Sequence, residues 1–173
     1  PPRSTLFPYT TLFRSDAAYS LVDESRLARP LAASYANRRA TLDIDVRGQA
    51  VSLRARRDGR ELLARPQPLV SARLKDGRQI SARRVKRDGE TLTFDFASGL
   101  GSAAVDVAAH RDFFTFTVRA LTLTNAEALT FCALPVASAV YRGGMANMLS
   151  DDAGAVCLRG FDLPVEMDAR GDT

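Results

Sequence analysis

The chain has no tryptophan, one histidine, two cysteines and three methionines in 173 residues. Each shortage excludes something. A lone His110 cannot supply a histidine-rich metal site, and neither H-E-x-x-H nor C-x-x-C occurs. Ser/His/Asp catalysis would have to use that same histidine, and no G-x-S-x-G elbow accompanies it. No run of 18 apolar residues is present, which excludes a transmembrane helix. Cys132 and Cys157 are too few for a disulfide framework; they form one bridge in an exported protein or, more simply, two buried thiols. Lysine is almost missing, with only Lys75 and Lys86, so arginine carries nearly all of the positive charge.

Acidic residues are absent from one stretch, "PPRSTLFPYTTLFRS", residues 1–15. It holds Pro1, Pro2 and Pro8, and it repeats Thr-Leu-Phe at Thr5-Leu6-Phe7 and Thr11-Leu12-Phe13. Its longest apolar runs are two residues, too short for the core of a secretory signal, and no small-residue cleavage site follows. One back-translation of the whole stretch resembles a short-read sequencing adapter read in frame. Residues 1–15 are therefore expected to be foreign to the natural chain, which would begin at Asp16 in mid-gene, and to lack packing by Phe7 and Phe13. Setting the stretch aside removes Arg3 and Arg14, so the net charge falls from +4 to +2. The remainder is one ordinary domain, able to bury roughly 70% of its unfolded surface. Its arginines are interleaved with apolar residues, as on solvated strand faces, so neither a nucleic-acid nor a membrane partner is expected.

What is present is period-two alternation broken by turns. "TLDIDVR" sets Leu42, Ile44 and Val46 against Asp43 and Asp45; "QAVSLRARR" sets Val51 and Leu53 against Ser52 and Arg54. "ETLTFDF" places Leu92, Phe94 and Phe96 on one face, and "DFFTFTVRAL" does the same with Phe114, Phe116 and Val118. Asp58-Gly59, Asp76-Gly77 and Asp88-Gly89 read as hairpin turns of type I′, pairing their flanks antiparallel. "SAAVDVAAH", "ALTFCALPV" after a turn at Thr124-Asn125, and "GAVCLRGF" add further strands. The pattern predicts an all-β antiparallel sandwich of about ten or eleven strands. Its expected divisions are 1–15, a lead-in over 16–34 and the sandwich over 35–173. The one helical candidate, Asp23 to Ala33, is interrupted by Pro30.

Carboxylates furnish the remaining chemistry. Asp43 and Asp45 share a strand face, where the spacing suits paired acids but a solvated face is the simpler reading. Asp151-Asp152 reads as a turn rather than a calcium loop. The most distinctive segment is "YRGGMANMLSDDAG", a long connection with Gly143-Gly144 and the apolar Tyr141, Met145 and Met148. Tyr141, Arg142, Asn147, Asp151 and Asp152 are its candidates for carbohydrate or interdomain contact. No catalytic residue, metal ligand or cofactor is assigned.

The strand order supports a resemblance. "TLDIDVRGQAVSLRARRDGRELL", with Gly59-Arg60-Glu61-Leu62-Leu63, resembles the opening of the galactose-mutarotase-like β-sandwich that precedes the catalytic barrel in large bacterial glycoside hydrolases. "DGETLTFDF", "DFFTFTVRAL" and "LTFCALPV" are similar to its successive strands, and "NMLSDDAGAVCLRGFDLPVEM" to its close. The resemblance spans residues 35–167. Free-standing aldose epimerases of this fold use two histidines and a glutamate, so one histidine argues against that activity here. In the multidomain glycosidases the acid and nucleophile lie mainly on a downstream barrel. The resemblance thus implies a noncatalytic N-terminal accessory domain, truncated at one or both ends, with the downstream catalytic domain of the same polypeptide as partner and a periplasmic or secreted location. An independent carbohydrate-binding module and a small hydrolase using Asp43, Asp45 or His110 are the alternatives.

Overall fold

The computed structural model describes residues 29–97, 99–137, 141–143, 148–151 and 154–157. The expectations for residues 1–15, and for the helix over residues 23–28, lie outside them. Within them the secondary structure is all β, and every strand pairing is antiparallel.

The first sheet contains β1 (Leu31–Ala36), β2 (Ala40–Asp45), β3 (Gln49–Ala55) and the short β4 (Gln67–Pro68), in that order. The second is a meander of β7 (Arg84–Asp88), β8 (Thr91–Asp95), β9 (Ser102–Ala109) and β10 (Phe114–Leu121). Between them in the chain run β5 (Val70–Leu74) and β6 (Gln79–Ser81), and β11 (Ala126–Phe131) returns to pair with β5. That return ties the second half of the chain to the first. A last sheet joins β12 (Tyr141–Gly143), β13 (Met148–Asp151) and β14 (Gly154–Cys157).

One buried cluster serves the first three sheets. Leu42, Ile44 and Leu53 come from the first, Val70 and Ala72 from the β5 sheet, and Val85, Leu92, Phe94, Val105 and Val107 from the meander. The alternation in β8 and β9 is the reason: every second side chain is buried and its neighbours are not. The inward set Leu92, Phe94 and Phe96 matches the sequence expectation. In β10 the expected inward residues Phe114, Phe116 and Val118 are only partly buried, because β10 is the edge of its sheet.

The strand layout differs from the sequence reading in four places. Fourteen strands stand among the described residues, not ten or eleven. β1 begins at Leu31, inside both the expected lead-in and the helical candidate, and its Ala33 is buried in the core. The segment expected as a long connection contains β12 and β13, which pair with each other. Finally, the Asp-Gly pairs do mark antiparallel connections, but Asp58, Asp76 and Asp88 are absent from the left-handed residues, so no type I′ turn forms. At β5–β6, Gly77 N donates to Leu74 O and Leu74 N to Arg78 O, a three-residue loop with left-handed Gly77 as its bulge. At β7–β8, Gly89 is left-handed at the first of two loop positions, the pattern of a type II′ turn.

Glu61 shows how a carboxylate can replace a strand partner. Its Oε1 accepts from the amides of Leu53 and Leu63, and its Oε2 from the Ser52 hydroxyl at 2.6 Å. Burial pushes its pKa up, but the Ser52 and backbone hydrogen bonds, with the charge of Arg54, outweigh burial and hold it below the ordinary value. A depressed folded-state pKa contributes stability above the unfolded value, lost as pH falls through the folded one. Glu61→Gln should therefore lower stability by about 1–2 kcal/mol near pH 7. The loss should shrink as pH falls below about 4. Urea melts at pH 7 and pH 3 measure it; an equal loss at both would show that the charge does not matter.

Candidate functional site

The strand hairpin at 141–151 carries the sequence's contact candidates. Tyr141 and Arg142 lie on β12 and Asp151 on β13, with Tyr141 opposite Ser150 and Arg142 opposite Leu149. Asp151 pairs with Gly154 across the next turn. Asn147 and Asp152 lie outside the described residues. The backbone thus brings Tyr141, Arg142 and Asp151 onto neighbouring strands.

Asp43 and Asp45 do not share an environment. Asp43 Oδ1 accepts from the Ser34 hydroxyl at 2.6 Å, across the β1–β2 pair. Asp45 is 0% exposed, so its expected place on a solvated face is corrected. The strand ends here: Oδ1 accepts from the amides of Arg47 and Gln49, and Gly48 N donates to Asp45 O. Asp45-Val46-Arg47-Gly48 follows the aspartate-first, glycine-fourth signature of a type I turn, the signal that could have placed the carboxylate in the turn. The outer side is covered by the chain entering β1, where Val46 N donates to Pro30 O. Asp45 Oδ2 sits 3.6 Å from Arg29 Nη1, and Arg29 donates to Gln49 Oε1. A half-open cavity of about 350 Å³ lies here, lined by Arg29, Pro30, Asp45, Val46 and Arg47.

His110 stands in the exposed loop between β9 and β10. Its Nε2 is 3.0 Å from the Thr115 hydroxyl, and its ring stacks on Phe113 at 4.6 Å between centroids. The setting is the strand-entry turn that adjacent Arg111 and Asp112 suggest. Asp112 in the same loop accepts from Arg39 Nε at 2.8 Å. Sequence reasoning missed this contact because the two residues are 73 positions apart.

The cysteines are not joined. Cys132, in a left-handed backbone conformation, is half-buried, and burial pushes its thiol up to about 12, which keeps it protonated and inert. Cys157 on β14 is exposed, which corrects the expectation of two buried thiols. Among the described residues no group of three or more His, Cys, Asp or Glu side chains could hold a metal ion.

Fold and side-chain placement together define an all-β antiparallel sandwich domain whose ionisable groups mainly tie loops and strands to one another. No family model, curated protein or solved structure matches the chain.

Proposed function

We propose that the chain is a noncatalytic β-sandwich domain of a carbohydrate-active, glycoside-hydrolase-like protein. Its role is to buttress or contribute to a sugar cleft beside a catalytic domain of the same polypeptide, in the periplasm or outside the cell. One observation carries this reading: the groups nominated for chemistry are engaged in the framework. Asp43 is held by Ser34, Asp45 caps the β2–β3 turn, and His110 is bonded to Thr115. A general acid or base must present a donor or acceptor atom within hydrogen-bond reach of a substrate proton. Groups already bonded into turns and strand pairs instead stiffen a platform, which is what a cleft wall requires.

A second reading, an independent carbohydrate-binding module, is favoured by the cavity beside Asp45. Its volume falls at the small end of ligand sites, and its lining combines the charged Arg29, Asp45 and Arg47 with the apolar Pro30 and Val46.

The purified chain, incubated with a panel of polysaccharides and chromogenic glycosides, is expected to release no product. The same preparation, run through polysaccharide-containing gels, reports binding. Turnover that survives repurification and is lost in an Asp43→Asn or His110→Gln variant would overturn the noncatalytic reading in favour of a small hydrolase. Retardation without turnover would favour the independent module.

A further inference from the structure

One end of the sandwich gathers charges that the sequence scatters. The β1–β2 loop (37–39), the loop after β3 (56–60) and the β9–β10 loop (110–113) are joined by backbone. Arg38 N donates to Arg111 O at 2.9 Å, and Arg56 N to Arg39 O at 2.8 Å. Asn37 is buried, and its Oδ1 accepts from the amides of Arg39 and Ala40, which fixes the first loop. These loops expose Arg38, Arg39, Arg56, Arg57 and Arg111 against the exposed acids Asp58 and Asp112.

The arginines are not equivalent. Arg39 is engaged by Asp112 at 2.8 Å, and Arg56 Nη1 donates to Asn37 O. Arg111 lies only 3.8 Å from the carboxylate that Arg39 already holds. Arg38 and Arg57 have no acidic partner among the described residues. In the same loop as Arg111, Phe113 is 54% exposed, with one face steadied by the His110 ring.

We propose that this end of the sandwich binds an acidic polysaccharide, through Arg38, Arg57 and Arg111, with a sugar ring resting on Phe113. The proposal rests on the second, carbohydrate-binding reading above and names the ligand class. A guanidinium is a fork matched to carboxylate and sulfate oxygens, so the anionic groups of a polyuronate or a sulfated glycan satisfy it in pairs. The loops are already fixed by backbone hydrogen bonds, so less ordering opposes binding. Single-stranded nucleic acid stacks successive bases on several aromatics in a continuous positive groove. Here a single exposed phenylalanine follows Asp112 in its loop, and Asp58 is exposed in the loop after β3, which suits a polymer of lower charge density.

The test uses the full chain in affinity gels containing polygalacturonate, dextran sulfate or neutral dextran, with double-stranded DNA as a competitor. One of the two acidic glycans is expected to retard the protein, and which one separates carboxylate from sulfate recognition. The Arg38→Ala/Arg111→Ala variant should weaken that binding at least about tenfold, the loss of two charge-assisted contacts. Arg78→Ala, at the β5–β6 turn and held by Asp76, is the control and should bind as the parent does. All the substituted side chains are exposed, and unchanged melting curves will establish that each variant folds. No retardation by either acidic glycan overturns the proposal, as does parental binding by the double variant. Equal competition by DNA also overturns it, revealing an unselective polyanion surface. Retardation by neutral dextran alone removes this proposal but leaves the carbohydrate-domain reading standing.

Discussion

Phe94→Ala is expected to destabilise the domain by about 3–5 kcal/mol, the usual cost of emptying an aromatic core position. Phe94 is 0% exposed and heads the largest fully buried side chains. It faces Val85 on β7 and Ala103 on β9 in register, and its ring lies 3.0 Å from where a Cβ on Gly48 would stand. Small neighbours make room for the ring, and small neighbours cannot refill the space when it goes. Collapse would require β8 to move, but it is hydrogen-bonded on both sides, and Val85 N also donates to Val46 O in the β2–β3 turn. For a chain of this size the loss corresponds to a fall in Tm of roughly 10–15 °C. Should the alanine variant not fold, Phe94→Leu gives a graded measurement, with a loss of about 1–2 kcal/mol. Urea unfolding followed by tyrosine fluorescence measures both. An alanine variant within about 1 kcal/mol of the parent would mean that the two sheets do not share this core.

Gly101→Ala is the second large effect, about 3–5 kcal/mol, and its cause is backbone rather than core. Gly101 has φ +107, where a side chain is strained, and its added Cβ would stand 2.3 Å from Thr122 O and 2.8 Å from Thr122 C. Neither obstacle is a movable side chain. Thr122 N donates to Ser102 O, Thr124 N donates to Leu100 O, and Phe96 N donates to Gly101 O. The segment that must yield is thus held on both sides of the contact. Gly99 is the internal control, with φ +84 and nothing within 4 Å of its added Cβ. Gly99→Ala should cost only the conformational part, about 1–2 kcal/mol. Thermal melts of the two variants separate conformation from collision. Equal losses would show that Thr122 moves aside and that the close approach is soft.

Much of this architecture was legible in the residues. The alternation of Leu92-Thr93-Phe94 and of Ala103-Ala104-Val105-Asp106-Val107 reads as strands with one wet and one dry face, and the burial follows it. The Asp-Gly pairs located their connections but not the turn type, because glycine alone takes the left-handed position while each aspartate keeps negative φ. β12 and β13 were hidden because Gly143 and Asp151, ordinary loop residues, sit at the ends of short strands. β1 was obscured by Pro30 and by an alanine-rich stretch that also suits a helix, and its pairing with β2 decides in favour of strand.

The candidate site was less legible. The residues Tyr141, Arg142 and Asp151 were visible, but their placement on paired strands depends on register, which alternation by itself leaves open. Asp45 looked like a surface acid because local alternation counts faces and not chain crossings. The chain entering β1 covers it, and the turn amides of Arg47 and Gln49 bond its Oδ1.

Sequence alone determined what local chemistry can determine: an all-β antiparallel chain, part of the apolar set that faces inward, and where glycine permits the chain to reverse. Tertiary structure alone decided which strand lies beside which, as when β11 returns to β5 past five intervening strands. It also decided which charges meet, as when Arg39 finds Asp112, and which loops join, as when Arg38 N donates to Arg111 O. The reason is physical. Alternation and turn propensity act within a few residues, whereas partner choice rests on burial summed over the whole core and on loops brought together only once that core exists.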